Sequence, residues 1–279
     1  MVTIRYILVY NIQIMKRFYL FAVAVLLFFG CEELNNIVEN TAPCDFQVGE
    51  TLTNEAVSNG LQCALLKGVD TATTKLSALN GYFLDEVVKL YLPDEAETLI
   101  NGLKNQKVLG SNLGEQAYNL LLKDIYEDLI LSLNRAAEDA ASSAIDIFIN
   151  SIMDISFDDA MNILNGPDTA ATHYLRVNTY SDLKGSFSPI IDESLNKDLI
   201  GDLSTNEIWG NFVSSYNSIT DNIAFQLLNV PVLPDESLGE YATGKALTGL
   251  FIKVADEEYL IRQDATHRVN DILEKVFGD

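Results

Sequence analysis

Residues 116–153 read QAYNLLLKDIYEDLILSLNRAAEDAASSAIDIFINSIM. At 100° per residue, Leu122, Ile125, Leu129, Leu133, Ala136, Ala137, Ala140, Ala144, Ile145, Ile147 and Phe148 share an arc of about 200°. An arc that wide must be covered from more than one side, which predicts a helix at the centre of a bundle, with a break near Ser142-Ser143. Asn134 lies inside the arc with Ile130, Ala137, Ala141, Ile145 and Phe148, while Arg135 and Asp139 face the other way. A buried amide without partners costs about 1–3 kcal/mol. Asn134 is therefore expected to be buried and fully hydrogen-bonded, either to a neighbouring helix or to residues 82–93.

Outward from this stretch the apolar spacing stays helical. Val57, Leu61, Ala64, Leu65, Gly68, Ala72 and Leu76 recur at three and four, predicting a helix over 54–78 capped by Thr53. Asn80-Gly81 reads as a turn and 82–93 as a crossing loop, since a lone strand has no partner. A short helix over 94–105 and a linker at Gly110-Ser111-Asn112 follow. Ser156 and Asp159 resemble a capping box for a helix ending at Gly166-Pro167. Asp168 is placed as the cap of a helix over 169–177. Ser181 opens another helix, in which Pro189 requires a break or kink. Ser204-Thr205-Asn206-Glu207 forms a full capping box before a helix over 205–227 containing Trp209, which Pro231 and Pro234 end. Helices over 238–263 and 267–277 close the chain. With no internal repeat, the expectation is one all-α, bundle-like domain over residues 53–279, built on a long central helix.

The first thirty residues read as an address. They hold Arg5, Lys16 and Arg17 but no acid, and from Met15 they read MKRFYLFAVAVLLFFGC. The apolar run from Phe18 to Phe29 is shorter than the roughly 20 residues of a membrane span, so it reads as a signal-peptide core. Met15 alone begins a complete signal, which makes residues 1–14 an upstream mis-start. Gly30-Cys31 resembles a bacterial lipobox, although Phe28 stands where Leu is usual. Cys31 is thus the expected lipid-attachment residue, with residues 31–52 as a lipidated tether. The alternatives are an ordinary cleaved signal or an uncleaved anchor.

The chain carries 18 basic and 40 acidic residues, a net charge of −22. Nucleic acid is excluded as a natural partner, because binding phosphates needs clustered Lys and Arg. Anionic lipid also repels such a domain, so the lipid has to hold it at the membrane. Glu32 rather than Asp follows Cys31, which favours the outer membrane, and Glu32-Glu33 leaves surface export open as an alternative. In this oxidising compartment Cys44 and Cys63 either form a disulfide or remain two thiols.

Chemistry is sparse. His173 and His267 are the two histidines, and Asp264 one turn before His267 is too small a ligand set for a metal-binding helix. Asp158-Asp159 and Asp256-Glu257-Glu258 fall on predicted helices, whose carbonyls are already hydrogen-bonded and so are poor Ca²⁺ ligands. No catalytic, metal or cofactor site is expected. Glu258 falls in mid-arc on the helix 238–263 with Arg262 one turn on, predicting a buried ion pair with Glu138 as a third member. Asn134, Arg135, Glu138, Asp168, Glu258 and Arg262 form the candidate polar cluster, structural or ligand-binding.

Several segments together resemble a bacterial family with no assigned function, domain of unknown function 4197. They are residues 79–93 (LNGYFLDEVVKLYLP), 134–138 (NRAAE), Asp159-Ala160 before Ile163-Leu164, 168–174 (DTAATHY), 245–251 (KALTGLF), 257–262 (EEYLIR) and 271–278 (DILEKVFG). Leu175 and Asp264-Ala265 depart from the family's usual Phe and Asp-Pro. The resemblance implies an exported protein or lipoprotein and supplies no catalytic residues. It puts His173 at a variable position. The resulting expectation is an envelope lipoprotein acting as a non-enzymatic interaction or assembly module, with an envelope protein as partner. A helical binder of a small or lipidic ligand is the alternative, and a hydrolase whose site is invisible in sequence comes third.

Overall fold

In the computed structural model, residues 53–105, 112–200, 203–220 and 237–264 are described; all fall within one unit spanning residues 51–279. The described residues form nine α-helices and one two-stranded antiparallel ladder, an all-α architecture. The helices are α1 (Asn54–Ser77), α2 (Asp94–Lys104), α3 (Leu113–Leu121), α4 (Lys123–Ala141) and α5 (Ala144–Met153). They continue as α6 (Phe157–Leu164), α7 (Ala170–Leu195), α8 (Thr205–Thr220) and α9 (Leu238–Gln263), with β1 (Asp198–Ile200) and β2 (Leu203–Ser204) between α7 and α8.

Local chemistry sets most boundaries. The Thr53 hydroxyl accepts the Ala56 N–H at 3.1 Å and starts α1. Ser156 and Asp159 form a reciprocal capping box on α6, and Ser204 and Glu207 exchange the same bonds at the start of α8. The long stretch breaks at Ser142-Ser143 as expected, and a second time at Leu122, which no breaker residue announces. Its middle piece, α4, packs against α1, α7 and α9, and Leu133, Ala136, Ala137, Ala140 and Ala141 have no exposed surface. Alanines at these points let three neighbours approach closely.

Two expectations for residues 168–195 are corrected. Instead of two helices there is one, α7, and Pro189 sits inside it. Thr179, Leu183, Phe187, Ile191 and Leu195 recur every four residues and are all buried, so continuous packing outweighs the hydrogen bond Pro189 removes. Asp168 does not cap this helix. Thr169 holds the cap position without a side-chain hydrogen bond, and Asp168 is exposed. The short β1–β2 ladder had no sequence signal. The expected linker at 110–112, the end of the helix to 227, the helix 267–277 and His267 lie wholly or partly outside the described residues.

Two long helices organise the rest. α7 packs on α9, α4, α5 and α6; α9 packs on α7, α1 and α4. Tyr82, Leu133, Phe148, Leu183, Phe187 and Leu250 are all buried without exposed surface. No described helix is long and apolar enough to cross a membrane.

Candidate functional site

The six residues of the candidate cluster do not come together. They form two separate polar centres, and Asp168 belongs to neither.

The first centre fastens the crossing 78–93 to α4. Asn80 takes a left-handed backbone (φ 71°), and a Cβ on Gly81 would lie 2.3 Å from the Lys75 carbonyl oxygen, so this Asn-Gly turn can fold back over the end of α1. Asn134, with no exposed surface, then behaves like a strand partner for Leu90. Its Oδ1 accepts the Leu90 N–H at 2.9 Å, and its Nδ2 donates to the carbonyls of Leu90 (2.8 Å) and Ile130 (2.7 Å). Four residues along, Glu138 Oε1 accepts the N–H groups of Tyr82 and Phe83, each at 3.2 Å. Arg135 pairs with the other oxygen of Glu138 and donates to Asn80 Oδ1 at 2.8 Å. Glu138 is thus used here and is not the third member of the Glu258–Arg262 pair, which corrects that expectation. Arg135, off the apolar arc as expected, is half-buried and turns back to the loop.

The helix α9 grips the same loop from its other side. The hydroxyl of the buried Tyr82 donates to the Ala246 carbonyl at 2.8 Å, and burial followed by the nearby Glu138 charge pushes its pKa far above the usual phenol range. A Cβ at Gly249 would lie 2.8 Å from the Tyr82 ring, so only glycine allows this approach. Tyr241 donates to the carbonyls of Tyr91 and Leu92. Lys253 meets Asp85 at 2.6 Å and Asp256 at 3.3 Å. Burial pulls the Lys253 ammonium down, but the bonds to these two carboxylates outweigh it and hold its pKa above the ordinary value.

The second centre sits between two helix ends. Glu258 and Arg262 pair at 2.9 Å with side chains 5% and 7% exposed. The Glu258 carboxylate accepts the N–H groups of Ala171 (2.9 Å) and Thr172 (2.8 Å) and the Thr172 hydroxyl (2.8 Å), so it caps α7 from a distant helix. This replaces the cap expected from Asp168. Arg262 Nη2 donates to the Ile163 carbonyl at 2.8 Å, at the C-terminal end of α6. The anion therefore meets the positive end of one helix dipole and the cation the negative end of another. Spacing showed the pair. Its two helix ends were not visible, because they lie about ninety residues away in sequence.

Several contributors carried little sequence signal, among them Lys75–Glu257 at 2.5 Å, Tyr82 and Thr172. Cys63 is disulfide-bonded; Cys31 and Cys44 lie outside the described residues. His173 is exposed and lines an open groove of about 480 Å³ with Ile163, Tyr174 and Val177. A second open groove of about 400 Å³ runs beside Lys75, Asp85, Lys253 and Glu257. Among the described residues no group of three or more His, Cys, Asp or Glu is placed to hold a metal ion.

No curated protein and no solved structure matches the chain. A family model described as protein of unknown function (DUF4197) matches residues 51–278, and so takes in both polar centres and the loop between α1 and α2. The chain belongs to that family.

Proposed function

We propose that this protein is a lipid-anchored lipoprotein of the bacterial cell envelope, favoured at the outer membrane, and that it acts as a non-enzymatic interaction or assembly module. The address rests on the charged start at Met15, the short apolar core and Gly30-Cys31. The role rests on one observation. Two buried polar side chains of α4, Asn134 and Glu138, and the half-buried Arg135 are spent holding the loop 78–93, whose outward residues Leu79, Leu84 and Val87 are large, apolar and exposed. Polar groups turned toward backbone in this way build a rigid surface rather than a pocket floor. The two grooves beside His173 and Lys75 are open, which suits a small or lipidic ligand less well than an enclosed site.

Intact-mass analysis of native protein tests the address. The expected species starts at an acylated Cys31, and Cys31→Ser accumulates unprocessed precursor. A retained Met1 or Met15 overturns it. Mass spectrometry of protein purified from native envelopes tests the role. A stoichiometric co-purifying lipid or metabolite would favour the ligand-binding alternative.

A further inference from the structure

Building on the interaction-module reading, we propose that the clamped loop 78–93 is the docking surface, and that its partner is an envelope protein offering an apolar groove with a basic rim. Along this loop Tyr82, Val88, Leu90 and Leu92 are buried, whereas Leu79 is 75%, Leu84 67%, Val87 67% and Tyr91 40% exposed. Together these four residues expose on the order of 400–500 Å² of mostly apolar surface, and exposed apolar surface of that amount marks an interaction site. The backbone beneath is tied to α4 and α9, so docking would order little that is not already ordered. Charges on the ridge are matched locally. Lys89 meets Glu86 at 3.4 Å, and its ammonium lies 4.7 Å from the centre of the Phe83 ring and 5.5 Å from that of Tyr91. Asp85 is matched by Lys253.

Charge and geometry select the occupant. The ridge is close to neutral, but the chain that carries it has a net charge of −22, a field that steers a cationic partner toward it. A second copy would bring two acidic bodies together, which their like charge opposes. The bilayer holding the anchor is a poor occupant too. Its anionic lipid repels so acidic a chain.

Photocrosslinking in the native cells tests this, with the full chain carrying a photoreactive residue at position 84 or 87, or at Val177, which is 69% exposed on α7. The expected result is one protein adduct of constant mass from positions 84 and 87 and none from 177. It should fall about tenfold when Leu79→Ser and Tyr91→Ser are combined, as for a loss of ~1.4 kcal/mol in binding. It should also fall after washing in about 1 M salt, where charges are screened beyond ~3 Å. Both substituted side chains are exposed, so the melting temperature serves as a fold control. Adducts only to lipid, only to a second copy, equally from position 177, or none at all would overturn the proposal. A lipidated Cys31 without the adduct ends the docking surface alone, and the adduct without lipidation ends the address alone.

Discussion

The amide of Asn134 offers Leu90 a donor and an acceptor 2.8–2.9 Å away, as a neighbouring strand would. Asn134→Ala strips Leu90 of both, and each buried group left unmatched costs about 1–3 kcal/mol. The expected outcome is a lower melting temperature and rapid hydrogen exchange at the Leu90 amide, while amides in α7 stay protected. Unchanged protection at Leu90 would remove the clamp role. Tyr82 makes a second residue-scale prediction. Its pKa is raised in the folded state, so its contribution to stability is complete below the unfolded phenol value of about 10 and declines as pH rises above it. Denaturant midpoints measured from pH 8 upward should fall beyond about pH 10 in the native sequence, and less steeply in Tyr82→Phe. Equal slopes would assign the alkaline loss to other tyrosines. Asn134 was legible as a buried, bonded group from its place on the apolar arc. Its partner was open between a helix and the crossing, because spacing says where a side chain points and not what lies there.

Helix ends carry the element-scale lesson. α7 begins without a side-chain cap of its own, and Glu258 on α9 supplies one while Arg262 bonds the end of α6. Breaking a buried pair commonly costs about 3–5 kcal/mol, so Glu258→Gln and Arg262→Met should each destabilise the fold by that order. The double variant should recover only part of the loss, because Glu258→Gln leaves one acceptor oxygen where the carboxylate offered two to the Ala171 and Thr172 N–H groups. Strictly additive losses in denaturant unfolding would argue against coupling. Pro189 gives the opposite sign. It sits inside α7 between the buried Phe187 and Ile191, where it forfeits a backbone bond. Pro189→Ala should raise stability, with the ~3 kcal/mol propensity difference as a ceiling. A drop would mean that the proline ring is itself required for packing. The sequence reading ended one helix at Val177, opened another at Ser181 and placed a break or kink at Pro189, each on a local signal. The four-residue repeat from Thr179 to Leu195 also stands in the sequence, and burial of every member decided between the two.

At the scale of the whole molecule, cysteine arithmetic gives the proposed anchor a test in the fold. The chain has three cysteines, and Cys63 is disulfide-bonded. An acylated Cys31 has no free thiol, so the lipoprotein reading assigns Cys44 as the partner of Cys63. Peptide mapping under non-reducing conditions should find that pair, and a Cys31–Cys63 peptide would count against lipidation. Fold class, helix limits such as Thr53 and Ser156, and the Glu258–Arg262 pair were all readable in the chain, because capping and periodicity act within a few residues. Three results needed the folded molecule: the separation of one supposed cluster into two centres, the capping of α7 from α9, and the exposure of Leu79, Leu84 and Val87. Each depends on which distant segments become neighbours, and that is set by how the apolar faces of α1, α4, α7 and α9 fill space together, a sum over the whole core that no local pattern contains.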